Sequence, residues 1–543
     1  MKLSPAIALC VVVSSASAQM NMAPKPAVLM AGLSSLHHPV STSNAEAQQF
    51  FDQGLRLVYA FNHDEAARSF HRAAELDPQL GMAWWGVALA AGPNYNLPVD
   101  PDHEKISADA IDKARSLSAA APQAEKDYIE ALARRFTHQA NPDYQQLSTA
   151  YARAMHSLVV KYPDDLDAAT LYADSMMNLR PWKLWNADGT PAPGTEEIVS
   201  TLESVLRRDP NHIGAMHLYI HAVEASPHPE RALPYADRIA QLAPAAGHLV
   251  HMPAHIYERT GNFDGARVQN VSAAKADEEY ASATGMQGIY TMMYYSHNLH
   301  FGAIAASMQG RCAEAQSQAD RLADNVRPGV KDMPMLESFL TIQLVVSVRC
   351  QRWDSLLAAP EPTAQTPVLK AFWLYSRGIA LASSGKVADA EAAQKQLAAI
   401  EAATSPGDIF APPIENHSKN LFHIASDVLS ARIAVAKADK AAAIDLLRDA
   451  VASQDQLLYD EPTDWYYPVR ETLGGLLLQS GDTKGAEAVF RKDLDLNPRN
   501  PRSLFGLCEA LKREDRAWEA QWVKQQFDTA WQGSDVQLTV ESL

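Results

Sequence analysis

An internal period of 34 residues constrains this chain more than any other feature. Residues 47–80 carry Phe50, Gly54, Leu57, Ala66, Phe70, Ala73 and Pro78 at positions 4, 8, 11, 20, 24, 27 and 32 of one unit. Small residues at 8 and 20 let two helices approach closely. Large ones at 4, 11 and 24 fill the seam, and proline at 32 ends the second helix. The frame returns at Ala232, Ala236 and Pro244, then at Ala254, Tyr257, Gly261, Phe263, Ala266 and Ala273. Gly474, Leu477, Gly481, Ala486, Phe490 and Pro498 give a clean late copy. Alternating β-branched runs bounded by turns are absent. The chain therefore reads as all-α, a right-handed α-solenoid of about nine or ten helical hairpins over residues 45–530. The period is weak around 100–165 and 325–365. It is interrupted at 181–195, at 279–295 and by a proline-rich connector at 404–417.

These positions resemble those of the tetratricopeptide (TPR) repeat. The resemblance implies that positions 2, 5, 9 and 12 of each first helix line a concave ligand groove, while 4, 8 and 11 pack the hairpin.

Lys2, the apolar run Pro5–Val13 and Ala16-Ser17-Ala18 form a signal peptide over residues 1–18, with cleavage expected before Gln19. A flexible segment, 19–44, follows. Hairpins then divide into 45–180, a central 181–330 and a C-terminal 331–543. The expected location is periplasmic or secreted. With 47 basic and 64 acidic residues, a formal charge of −17 argues against nucleic acid or an anionic membrane as partner. No later segment is apolar enough to span a bilayer. Cys312 and Cys350 fall near the helix-to-helix turns of neighbouring hairpins, so a disulfide is expected there, with Cys508 left as a buried thiol.

The histidines fall in register. His217, His221 and Glu224 occupy positions 5, 9 and 12 of one first helix. His251, His255 and Glu258 repeat those positions 34 residues on, with His248 at position 2. His297 and His300 take positions 2 and 5 after the aromatic interruption. Each set forms one stripe of its helix. Neighbouring helices lie roughly 8–10 Å apart, so imidazoles from both can share an ion at about 2 Å from each nitrogen. The predicted centre is His217, His221, His251 and His255, with His248, His297 and His300 beside them. Thiolate is missing, which suits copper, iron or zinc. His-Glu-x-x-His is absent.

His-Met-Pro-Ala-His-Ile-Tyr (His251–Tyr257), His-Leu-Tyr-Ile-His-Ala-Val-Glu (His217–Glu224) and Glu461-Pro462-Thr463-Asp464-Trp465-Tyr466-Tyr467-Pro468 resemble a group of large exported bacterial TPR proteins. That resemblance implies fold and export and brings no reaction with it. Two functions follow from the residues. One is a metal-dependent enzyme, oxidoreductase or hydrolase, acting on a small molecule or peptide in the groove; Glu224 or Glu258 serves as ligand or base, and Tyr257 shapes the pocket. The other is a non-catalytic scaffold for an extended peptide or a protein partner, or a metal storage and delivery protein.

Overall fold

The computed structural model describes residues 27–543 apart from 99, 287, 364 and 413. The signal segment and its cleavage point lie outside the described residues. The first hairpin pairs Ala45–Val58 with His63–Leu76. Asn44 and Asn62 start its helices by accepting backbone N–H groups of Glu46, Ala47 and Glu65. Phe70 is the wedge. A Cβ at Gly54 would stand 2.6 Å from its ring, and one at Gly86, on the next hairpin, 2.3 Å. Phe490 is held in the same way between Gly474 and Gly506, at 2.5 and 2.1 Å. One aromatic pinned between two glycines thus sets close helix approach at both ends of the array.

Helical hairpins continue through the stretches of weak period. Pro101–Leu117, Gln123–Leu132 and Tyr144–Lys161 fill the first; Glu337–Arg349 and Trp353–Ala358 lie in the second. Among the described residues there is no strand, only the isolated bridges Asn94–Leu97, Trp185–Pro191 and Ile409–His417. The molecule is an all-α solenoid. No described helix is long and apolar enough to cross a membrane.

The interruptions have definite structures. Trp185 of the first donates its indole N–H to Ala222 O at 2.8 Å, folding the loop onto the Ile213–Glu224 helix. In the second, Phe263–Thr284 runs on for 22 residues, and a π-helical turn, Tyr290–Tyr294, leads into Tyr295–Met308. Such turns concentrate at functional sites. Residues 27–44, expected to be flexible, pack on the hairpins. Ala27, Leu33 and Val40 are buried, and His38 reaches Asp167 at 2.8 Å. Cys312 and Cys350 are disulfide-bonded with Cα atoms 5.7 Å apart, and Cys508 is a buried thiol.

The apolar core forms two large blocks, one spanning Ala27–Tyr294 and the other Phe263–Leu543. The histidine-bearing helices lie where they meet.

Candidate metal centre

Three helical segments supply the histidines. Ile213–Glu224 has every residue buried, as expected of a helix packed on all sides. Gly247–His251 passes through Met252, which keeps helical φ and ψ, into Pro253–Arg259. Proline here removes one backbone donor while leaving His251 and His255 one turn apart. Tyr295–Met308 brings His297 and His300.

Six of the seven predicted histidines gather into two trios. His217, His221 and His248 form one; His251, His255 and His297 form the other, with ligating atoms inside each trio within 4.8 Å of one another. This corrects the expected grouping, in which the two i, i+4 pairs shared one centre. Each pair takes its third member from the next segment along the chain instead. Nε2 of His217 lies 3.1 Å from Nε2 of His248, and Nε2 of His251 lies 2.9 Å from Nε2 of His255. Two nitrogens bound to one ion at about 2.0–2.1 Å stand that far apart when the angle between them is about 90–100°.

Four of the opposite ring nitrogens are tied down, while Nδ1 of His248 is buried without a partner among the described residues. Nδ1 of His217 donates to Tyr59 O at 2.7 Å, and Nδ1 of His251 to Asn270 Oδ1 at 2.7 Å. Asn270 is itself oriented by donating to Ala266 O at 2.8 Å. Nδ1 of His221 meets Glu224 Oε1 at 2.9 Å; Nδ1 of His255 meets Glu224 Oε2 at 2.6 Å and Glu461 Oε2 at 2.9 Å. One carboxylate therefore orients a histidine of each trio. Acceptors behind an imidazole fix its tautomer and turn the other nitrogen's lone pair inward. Nε2 of His221 is buried and has no partner among the described residues. An aromatic ring floors each trio. Phe61 lies 4.4 Å from His217 and is stacked on His221 and His248. Phe301 lies 4.8, 4.9 and 5.0 Å from His251, His255 and His297. Phe61 adopts φ +53°, a left-handed conformation that costs a bulky residue about 1–2 kcal/mol.

Electrostatics keep most of these rings neutral. Burial, and then the neighbouring imidazoles, hold His217, His248, His251 and His297 well below the ordinary histidine value. Burial also lowers His221, against the pull of Glu224. His255 differs. Burial disfavours its cation, but Glu224 and Glu461 outweigh that and push it up to about 10. Glu224, opposed by burial yet flanked by His255 and His221, falls to about 2. Burial holds Glu461 up.

The remaining predicted site residues lie apart. His300 packs against Phe339 and Tyr466 and belongs to neither trio. Tyr257 turns away and donates to Asp237 at 2.7 Å. Glu258 forms no hydrogen bond or ion pair with either trio among the described residues; burial and then Glu461 raise it well above the usual carboxylate range, against the pull of His255. The expected open groove is closed. His217, His221, His248, His251 and His255 are 0–2 % exposed, because Phe61, Tyr95, Trp182, Tyr294 and Glu461 cover the stripe. His297 is half-buried and, with His248, His255 and His300, borders a cavity of about 160 Å³. Trp182, Met293, Phe339 and Phe410 give that cavity apolar walls, and Asp460, Glu461 and Asp464 form its polar end.

No family model and no curated protein matches the chain. Solved structures to which it is similar include the Cut9–Hcn1 hetero-tetramer of the APC/C, at 12 % identity over 87 % of this chain and 78 % of that one, TM-score 0.33. Human IFIT1 bound to m7Gppp-AAAA matches at 12 % identity over 90 % and 91 %, TM-score 0.34, and yeast Tom70 at 12 % over 90 % and 91 %, TM-score 0.29. At these scores nothing about ligands follows. The chain's own helices define its class: an all-α, TPR-like repeat protein.

Proposed function

We propose that this protein is a dinuclear metalloenzyme that binds one transition-metal ion in each histidine trio. The observation carrying this reading is the pair of trios with inward Nε2 atoms, joined from behind by Glu224. Buried imidazoles without hydrogen-bond partners are costly unless something binds them. Glu224 and Glu461 favour the protonated form of His255, which lies between these two carboxylates and His251. Three neutral imidazoles per ion and no inner carboxylate fit copper or zinc better than the two-histidine, one-carboxylate pattern of iron. Copper ranks above zinc in intrinsic affinity. Copper held in each trio would supply two one-electron carriers, which suits a two-electron oxidation with dioxygen as oxidant.

This chain's residues do the rest. The cavity of about 160 Å³ is close to a volume of about 150 Å³ that takes up benzene. It therefore suits a small, largely apolar molecule carrying one polar group. Trp182, Phe339 and Phe410 would clasp its flat face, Asp460 and Asp464 would receive its polar end, and Phe61 and Phe301 exclude water from behind the histidines. The Cys312–Cys350 disulfide supports an exported, oxidising location. The hairpin array is a scaffold in either case, but a passive peptide scaffold has no use for five buried imidazoles, four of them oriented by acceptors behind them.

The test is oxygen uptake by copper-loaded and zinc-loaded protein over a panel of small phenols and aromatic amines. Uptake is expected with copper alone and is lost in His251→Ala. Turnover of ester or amide substrates by the zinc form, with no oxygen uptake by the copper form, would replace oxidation by hydrolysis.

A further inference from the structure

A second cavity, of about 340 Å³, lies among the C-terminal hairpins, away from the histidines. It falls within the range of small-molecule sites, roughly 300–1,000 Å³. Phe372, Tyr375, Trp353 and Trp465 supply flat apolar walls, and three arginines, Arg349, Arg432 and Arg502, reach it from three different helices.

The polar groups of this cavity are unbalanced. Glu471 on its wall is already spent: it takes a two-pronged contact from Arg349 and a hydrogen bond from Asn500. Arg502 gives its terminal nitrogens to Ser542 O and Arg349 O, at 2.7 and 2.9 Å. Nε of Arg349 and Nε of Arg502 are buried with no partner. Arg432 has no hydrogen-bond or ion-pair partner among the described residues, and the Tyr375 hydroxyl has no hydrogen-bond partner there. Burial depresses Arg432, and burial together with Arg349 lowers Arg502 to about 9. The unpartnered nitrogens of the three arginines are all donors, and the wall's other carboxylate, Glu541, is exposed on the C-terminal segment. Gln479 and Thr472 are turned to the C-terminal segment, donating to Val540 O and Leu543 O. A partly buried guanidinium without a counter-charge is unfavourable, and a planar carboxylate is the group whose geometry it matches.

We infer that this cavity binds a small organic carboxylate with an aromatic or branched apolar body, its anionic end on Arg432 and the Tyr375 hydroxyl and its body against Trp465 and Phe372. This site is independent of the metal reading.

The experiment uses the whole mature protein and three probes: 3-phenylpropionate, its neutral amide, and a tetrapeptide ending in phenylalanine. Binding is followed calorimetrically in chelated and in copper-loaded protein. The acid is expected to bind at least tenfold more tightly than the amide, with the same affinity in both metal states. Arg432→Gln should remove that preference and raise the melting temperature by a few degrees, because an unpaired, partly buried cation is gone. Tyr375→Phe should weaken the acid several-fold. Equal binding of acid and amide by the wild-type chain overturns the inference, as does absence of acid binding up to its solubility, or Arg432→Gln that melts lower and binds the acid unchanged. Tighter binding of the tetrapeptide than of phenylpropionate overturns the assignment to a free small molecule.

Discussion

Nε2 of His251 and Nε2 of His255 stand 2.9 Å apart, and each ring is turned toward the other by an acceptor on its far side. Because Glu224 is one of those acceptors and also holds His221, the two trios are coupled through a single carboxylate. Glu224→Gln is expected to weaken metal binding at both trios, by about 10–100-fold. Glu461→Gln should weaken only the trio of His251, His255 and His297. Competition titration against a chelator, read site by site, checks both.

Single histidine replacements should remove ions one at a time. His217→Ala and His297→Ala are each expected to leave one equivalent per chain, whereas His300→Ala leaves both. Elemental analysis of protein purified without a histidine tag distinguishes this arrangement from a single shared centre, in which either of the first two would remove everything.

His221→Ala also tests closure of the site. A groove side chain could be lost at little cost, but His221 is 2 % exposed and pairs with a buried carboxylate. Losing the His221 hydrogen bond to a buried carboxylate costs about 1.5–3 kcal/mol, less to the extent that His255 still holds Glu224. Urea titration of the metal-free protein should show a lower midpoint than wild type; an unchanged midpoint would mean an open groove.

The N-terminal arm gives a pH dependence away from the metal centre. Burial opposes ionisation of His38, but its hydrogen bond to Asp167 wins and raises it. Its contribution is therefore complete below an unfolded value of about 6.5 and fades as pH rises through the folded one. Asp167, opposed by burial but held down by His212 and His38, contributes above about 3.9 and loses that as pH falls through its depressed folded value. Protection of residues 36–41 against hydrogen exchange in chelator, taken relative to the intrinsic rate at each pH, should be greatest at about pH 5–6 and fall above neutrality. In Asp167→Asn that fall should flatten.

Replacing Cys312 and Cys350 together by serine should destabilise the fold while leaving metal stoichiometry unchanged. The bridge closes a loop with a sequence separation of 38, which chain entropy values at about 4 kcal/mol. Thermal unfolding and elemental analysis on one sample read both outcomes.

Much of this was legible from residues alone, for a local reason. Phe70 against Gly54 and Phe490 against Gly474 are contacts within one hairpin, so the period that encodes them reveals the helices. The register of His217, His221, His251 and His255 likewise needs only helical geometry. What the register does not carry is stagger between hairpins and the course of loops. The π-helical turn at Tyr290–Tyr294 leads into the helix that brings His297 to His251, leaving His300 outside, and no repeat position encodes such a turn. Phe61 and Glu461 reach the site from distant parts of the chain, whereas Asn270 comes from the second helix of the hairpin that carries His251. Glu461 stood in a conspicuous motif, yet nothing in its spacing ties it to His255. The groove is covered for the same reason: Trp182, Tyr95 and Phe61, which lie over the histidines, are on turns and loops outside the repeat's own positions.

The central claim is that two ions bind, one to each trio. Native mass spectrometry of the untagged mature chain, loaded with excess copper and desalted, tests it most directly. The account predicts two tightly held ions in the wild type, one in His217→Ala, one in His297→Ala and none in the double variant. A wild-type chain that retains no ion, or one whose bound copper is unchanged in the double variant, would contradict it.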